Sequence, residues 1–190
     1  MGSLKEPSFP TIVVPVAKGK VMQANHNYQN QEIPIADSIS MAGKLLDSLM
    51  NGAVIGDALG INENEKEAAY SLGLFHYRNG KYADALAYFG FLIFYDHFDV
   101  RGYKAVGSCM QLMGMVHDAQ VFLGIAAVMD PEDPMSAVQI AECLIKTDRK
   151  SDALTLLESI KKEFGNLDKY SSVNKKVNGL LCLLKKENTN

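Results

Sequence analysis

The sequence predicts an all-α protein: a solenoid of three helix–turn–helix repeats, with N-terminal helices before it and a C-terminal capping helix after it. Three observations predict this class. Small and bulky apolar residues recur with a period of 34 residues between positions 66 and 167. Apolar residues on either side of this region are spaced by three and four, as on one face of an α-helix. Residues that favour helix N-termini stand at the boundaries between the repeats.

Two different segments precede the repeats. Residues 1–34 hold four of the six prolines and sustain neither a helical nor an alternating period, which predicts a mobile arm. Residues 35–65 are predicted to be helical, because apolar residues from Ile35 to Met50 recur at helical spacing. Asn62 and Glu65 then resemble a capping box at the start of the next helix.

The repeats are the strongest signal, in windows 66–99, 100–133 and 134–167. The aligned residues are Gly73, Gly107 and Ala141 at position 8; Gly80, Gly114 and Asp148 at position 15; Ala85, Ala119 and Ala153 at position 20; and Phe89, Leu123 and Leu157 at position 24. Small residues at positions 8 and 20 let two helices approach, a bulky residue at position 24 fills the gap, and glycine at position 15 turns the chain. This pattern is typical of the tetratricopeptide repeat.

Window boundaries and cysteines fit the same register. Asp99 and Asp133 end their windows and are suited to cap the following helices. Cys109 and Cys143 both occupy position 10, which predicts equivalent core environments. With Cys182 they make three cysteines without a CxxC pair, so we expect reduced, buried thiols rather than a disulfide or a zinc site.

Residues 168–190 are predicted to form the capping helix and a short tail. Apolar residues share one stripe of this helix, and lysines lie off it. The stripe consists of Tyr170, Val173, Val177, Leu180, Leu181 and Leu184.

Composition excludes several classes of function. A formal net charge of −3 argues against a nucleic-acid-binding surface over the whole protein. No apolar run is long enough for a transmembrane helix, and the N-terminus lacks a secretory signal, so we expect a cytoplasmic protein. No nucleotide-binding or hydrolase motif occurs, and no two of the four histidines stand four residues apart. We therefore predict no enzyme, catalytic residue, metal or cofactor.

A peptide-binding groove is the expected functional site. Helix A of each repeat lines the concave wall of such a solenoid, through positions 2, 5, 9 and 12. These positions include Tyr70, Leu74, Tyr77, Lys104, Ser108, Gln111, Met135, Val138, Glu142 and Ile145. The pattern also allows Tyr70 and Tyr77 to pack against the preceding N-terminal helix instead.

The second helix of the first repeat is unusually aromatic. Five aromatic residues fall between Tyr88 and Tyr95, more than one helix face can bury. We expect Phe91, Phe94 and Tyr95 to lie in a contact, and self-association into a homodimer is the hypothesis.

Three segments resemble a known family: Ala69–Ala85, Tyr95–Asp99 and Ala141–Leu144. They are similar to the class II chaperones of bacterial type III secretion, and the resemblance covers residues 36–186. It implies a bacterial cytoplasmic protein with three tetratricopeptide repeats between terminal helices. It also implies that Tyr70, Leu74, Tyr77 and Tyr82 form pockets for a client.

The implied function is to bind an extended, proline- and leucine-bearing segment of hydrophobic translocator proteins in the groove before export, keeping these proteins soluble and apart without a nucleotide. The export apparatus is then a possible further partner, whereas nucleic acid and stable membrane insertion are not expected. The alternative is a general peptide adaptor that clamps a C-terminal carboxylate. The clamp positions hold Tyr70, Leu74, Ala105, Met135 and Gln139, none of which pairs with a carboxylate as the clamp does.

Overall fold

The structure is a computed structural model that describes residues 50–58 and 60–187. Within these residues all regular structure is helical. The helices are α1 (Ile55–Ala58), α2 (Glu63–Arg78), α3 (Tyr82–Tyr95), α4 (Val100–Leu112), α5 (Val116–Met129), α6 (Met135–Lys146), α7 (Lys150–Phe164) and α8 (Ser171–Glu187), with a 3₁₀ turn at Asp168–Tyr170. The predicted arm and the amphipathic stretch up to residue 49 lie outside the described residues.

The helices pack in chain order, as in a solenoid. Within each repeat α2 contacts α3, α4 contacts α5, and α6 contacts α7. Consecutive repeats are joined through α3 with α4 and through α5 with α6, and α8 closes the array against α7. The prediction of an all-α repeat fold is therefore confirmed. None of the described helices combines the length and the apolar character needed to cross a membrane.

The aligned small and bulky residues create the contact between the two helices of a repeat. A Cβ built on Gly73 would lie 2.5 Å from Cε1 of Phe89, and one on Gly107 would lie 2.6 Å from Cγ of Leu123. Both bulky partners are fully buried, as are the alanines at position 20 in all three repeats. In the first two repeats, glycine at position 8 is thus required by the close approach of the two helices.

The turn between the two helices has the same conformation in every repeat. Gly80 and Gly114 have φ angles of 73° and 81°, in the left-handed region that glycine adopts easily. Asp148 occupies the same position with φ 59°, and among the described residues it is the one non-glycine residue with a positive φ. The third repeat therefore keeps the turn geometry after losing the glycine, at a backbone cost.

Capping follows the predicted boundaries. Asn62 accepts a hydrogen bond from the Glu65 amide, and the Glu65 side chain accepts one from the Asn62 amide, which completes the capping box. Asp99 accepts a hydrogen bond from the amide of Arg101 at 3.0 Å, and Asp133 accepts one from the amide of Met135 at 3.0 Å. These bonds fix the first turns of α2, α4 and α6.

The cysteines only partly match the expectation. Cys109 and Cys143 are fully buried, and burial raises the pKa of the Cys109 thiol to about 11. Cys182 is exposed on α8, so the expectation that all three thiols are buried is wrong. Its position lies off the apolar stripe of α8, which packs Val173 and Val177 against the rest of the array.

Candidate functional site

A groove crosses the first helices of the three repeats. Its cavity of about 290 Å³ lies between α2, α4 and α6, and the buried ring of Phe89 forms part of its floor. The lining residues are Tyr70, Leu74, Tyr77, Phe89, Arg101, Lys104, Ala105, Ser108, Asp133, Met135, Ser136 and Gln139. A concave site of this size with aromatic and polar walls is suited to side chains of a bound peptide.

The wall contributed by α2 is aromatic and apolar. The ring of Tyr70 packs with its centroid 5.8 Å from that of Phe89, and the Arg101 guanidinium lies 4.8 Å from the centroid of the Tyr70 ring. Tyr77 contacts Tyr82 edge to face at 5.6 Å. Burial raises the pKa of the Tyr77 phenol, with smaller contributions from Cys109 and Tyr82, so the ring remains neutral at physiological pH.

The cations of the groove are already paired. The Lys104 ammonium lies 2.7 Å from both the Asp130 and the Asp133 carboxylate. Burial opposes its charge, but the hydrogen bonds to these two carboxylates raise the pKa of Lys104 overall. Arg101 likewise pairs with Asp99 at 2.7 Å and with Glu67 at 2.5 Å. A bound segment therefore meets no unpaired cation on this wall.

Amide and hydroxyl side chains connect α4 to α6. Gln139 donates a hydrogen bond to the Ser108 hydroxyl at 2.8 Å. Gln111, which is only 7% exposed, donates to the Glu142 carboxylate at 3.4 Å. Glu142 in turn pairs with Lys176 of α8 at 2.9 Å. These bonds tie the middle of the groove to the capping helix.

The structure brings together many of the predicted groove residues. Tyr70, Leu74, Tyr77, Lys104 and Ser108 all line the cavity. Tyr82 reaches the edge of this site through its contact with the Tyr77 ring. The polar pair formed by Gln111 and Glu142 lies beyond the cavity lining.

Helix α6 departs from the predicted register. Val138 is fully buried in the cluster that α6 forms with α7 and α8, and it does not line the cavity. Ile145 is partly buried and packs against the same cluster. Lys104 and Val138 both occupy repeat position 5. The Lys104 ammonium pairs with Asp133 just before the next repeat, whereas Val138 is buried in the cluster that includes residues of α7 and α8.

The wall contribution of α6 comes partly from residues that the repeat pattern does not select. Met135 lines the cavity as expected, but Ser136 and Gln139 take the places predicted for Val138 and Glu142. Arg101 also lines the cavity and occupies repeat position 2, which the pattern selects, whereas Asp133 and the floor residue Phe89 lie outside the selected positions. The apolar stripe of α8 could have indicated that Val138 is in the core. Such a stripe must pack against other apolar residues, and Val138 belongs to the same buried cluster.

A second surface lies on α3. Phe94 is 57% exposed, and its ring contacts Tyr95 edge to face at 5.2 Å. The ring centroids of Phe91 and Tyr95 lie 4.0 Å apart. The structure thus brings the three predicted self-association residues together. Among the described residues, no group of three or more His, Cys, Asp or Glu side chains could hold a metal ion.

Comparison with known proteins connects this architecture to one family. No protein-family model matches the chain. It is 30% identical to the low calcium response locus protein H of Yersinia pestis over 137 residues, which are 72% of this chain and 82% of the relative. It also matches the type III secretion chaperone SycD of Yersinia enterocolitica, solved in complex with a peptide of the translocator YopD, with 30% identity and a TM-score of 0.63. That match covers 67% of this chain and 98% of the SycD chain. The chain belongs to the type III secretion translocator chaperones.

Other solved members of the translocator chaperone family extend the comparison. PcrH in complex with the chaperone-binding region of PopD is 25% identical, with a TM-score of 0.63, over 68% of this chain and 97% of PcrH. PcrH itself comes from Pseudomonas aeruginosa. The predicted family is therefore confirmed.

Proposed function

We propose that this translocator chaperone binds hydrophobic translocator proteins of a type III secretion system in the bacterial cytoplasm. It holds an extended segment of the client in the groove between α2, α4 and α6, and keeps clients soluble and apart before export. The observation that carries this proposal is the groove itself, whose aromatic wall of Tyr70, Leu74 and Tyr77 opens onto a cavity of about 290 Å³.

The groove chemistry favours an apolar client segment. Each cation that lines the cavity is paired with carboxylates of the chain, so an acidic client residue gains little by entering. Burial of apolar client side chains against aromatic rings supplies the binding free energy. In this proposal release needs no nucleotide, and transfer to the export apparatus removes the client from the groove.

The relatives support this type of partner. SycD is described in complex with a peptide of YopD, and PcrH with the chaperone-binding region of PopD. The general adaptor alternative is less well supported. Tyr70, Leu74 and Ala105 line the cavity where a carboxylate clamp needs cationic or amide side chains.

Co-expression with hydrophobic translocators tests the proposal. The parent chain is expected to keep its client soluble and to co-purify with it. The double variant Tyr70→Ala, Tyr77→Ala is expected to lose co-purification while its circular dichroism spectrum stays helical. Tyr103→Ala is the matched control, since Tyr103 packs against Phe122 and does not line the cavity.

Retention of the client by a folded double variant would remove the groove assignment. Equal loss in Tyr103→Ala would indicate that loss of stability, rather than loss of groove contacts, causes the effect.

We also propose self-association through Phe91, Phe94 and Tyr95. The exposed Phe94 ring and its neighbours form an apolar surface on α3. One solved form of SycD is described as an alternative dimer. Sedimentation velocity over a dilution series is expected to show a dimer that Phe94→Ser weakens. A monomer at every concentration would contradict this.

A further inference from the structure

Positive charge is concentrated at the C-terminal end of the chain. Residues 161–190 contain seven lysines and three acidic residues, whereas the whole chain has 19 basic and 22 acidic residues. Neither the groove nor the α3 surface uses these lysines as lining residues. A locally basic end on a protein with a net negative charge indicates a surface for an anionic partner.

The lysines belong to two neighbouring helices. Lys185 of α8 pairs with Glu158 of α7 at 3.1 Å, and Asn174 donates a hydrogen bond to the Phe164 carbonyl at 3.1 Å, so the two helices lie side by side. Lys161 and Lys162 follow Glu158 on α7 by one turn, and Lys175 follows Asn174 on α8. Within the described part of the chain, Lys161, Lys162 and Lys175 are exposed and form no ion pair.

Apolar side chains are exposed at the same end. Leu183 on α8 is 61% exposed, and Leu167 in the turn before α8 is 45% exposed. Leu183 lies outside the stripe of α8 that packs on α7, so it does not contribute to the core of the array. Binding to a membrane interface combines buried apolar side chains with electrostatic attraction of lysines to anionic lipids, and this end of the chain exposes both types of residue.

The side chains favour a lipid surface over a nucleic acid. All seven basic residues of this end are lysines, and the three arginines of the chain lie elsewhere. The planar guanidinium of arginine can donate two parallel hydrogen bonds to one phosphate, whereas the ammonium of lysine acts as a hydrated point charge. Point charges suffice for the diffuse negative potential of an anionic bilayer, which acts on each nearby lysine.

We propose that the exposed Lys161 and Lys162 of α7 and Lys175 of α8, together with Leu167 and Leu183, attach the chaperone peripherally to anionic phospholipid bilayers. We call these residues the lysine-rich face. The attachment is reversible and weakens with salt, because its main component is screened electrostatic attraction. It lies outside the client groove and does not depend on the function proposed for that groove. A loaded chaperone would then diffuse along the membrane surface with its groove occupied.

Vesicle co-sedimentation of the full chain without client tests the proposal. The expected result is binding to phosphatidylcholine vesicles that contain about one third phosphatidylglycerol, and no binding to pure phosphatidylcholine. Raising the salt from about 0.05 M to about 0.5 M is expected to release the protein. Equal binding to both vesicle types, or no binding to the anionic vesicles at low salt, overturns the proposal.

Two triple variants with the same net charge identify the face. Lys161→Gln, Lys162→Gln, Lys175→Gln is expected to lower the partition coefficient about 100-fold, at about fivefold for each lysine. The control replaces by glutamine three exposed cations at or beside the turns of the first and third repeats: Arg78, Lys81 and Arg149. It is expected to bind like the parent, and equal loss in both variants would show that only overall charge matters.

Two further measurements separate the competing explanations. Leu183→Ser is expected to weaken vesicle binding severalfold without changing its salt dependence. Tyr70→Ala, Tyr77→Ala is expected to bind vesicles like the parent, so a failed groove assignment leaves this proposal standing. Lysine-dependent binding of single-stranded RNA without binding to anionic vesicles would instead assign the face to nucleic acid and refute the lipid proposal.

Discussion

Replacing glycine by alanine should have opposite effects at two positions of the second repeat. Gly107 is inside α4, where a Cβ would lie 2.6 Å from Cγ and 3.2 Å from the backbone nitrogen of Leu123. Leu123 is fully buried and cannot move aside freely. Gly124 is inside α5, where a Cβ would meet nothing within 4 Å.

The magnitudes follow from these two environments. Alanine in a helix interior is more favourable than glycine by about 1 kcal/mol, which both substitutions gain. Overpacking costs about 2 kcal/mol, and only Gly107→Ala incurs it. The free energy of unfolding should therefore fall by about 1 kcal/mol in Gly107→Ala and rise by about 1 kcal/mol in Gly124→Ala.

Urea unfolding followed by circular dichroism measures this difference of about 2 kcal/mol. Thermal unfolding should show the same order, with midpoints about 6 °C apart for a chain of this size. If Gly107→Ala proved as stable as Gly124→Ala, then close approach between the two helices would not be the reason for glycine at repeat position 8.

Three further predictions concern single side chains. Asp148→Gly should raise the free energy of unfolding by about 0.5–1 kcal/mol in urea titrations, because glycine adopts a left-handed φ without strain; a loss of stability would contradict this reasoning. A thiol reagent should modify Cys182 rapidly in the native protein and Cys109 and Cys143 only after unfolding, whereas three equal rates would refute their burial. Despite its burial, the hydrogen bonds from Arg101 hold the pKa of Asp99 below its usual value. Asp99→Asn should therefore cost up to about 1 kcal/mol at pH 7, and this difference should vanish as the pH falls well below 4, since the charged form that is stabilised has then been protonated.

The periodicity of the sequence is sufficient to predict the repeats because each aligned position is subject to the same steric or backbone constraint in each repeat. Position 8 must be small beside the bulky residue at position 24, as Gly107 and Leu123 show. Even Asp148, which breaks the glycine pattern, keeps the left-handed turn. The constraint lies in the backbone, so one unfavourable residue does not abolish it.

The groove wall was predicted less completely, because its composition depends on the helix that packs after each repeat. Lys104 and Val138 occupy the same repeat position, but Lys104 pairs with Asp133 just before the next repeat, whereas Val138 is buried in the cluster shared by α6, α7 and the capping helix. The sequence period predicts the same position for both side chains. Their different environments depend on which helix packs beside each of them in the folded structure. Cys182 shows the same dependence, since its exposure results from its position on α8 rather than from its residue type.

The bonds between the first helices of the repeats bear on the entropy of client capture. Arg101 joins Glu67 of the preceding repeat, and Gln139 joins Ser108, so α2, α4 and α6 are linked across the groove before any client arrives. A wall that is already fixed has little freedom left to lose when it is occupied. Most of the conformational entropy lost on binding is then lost by the client. Restricting a client segment to its bound conformation, by proline substitution or cyclisation, should therefore improve affinity more than further rigidifying the chaperone.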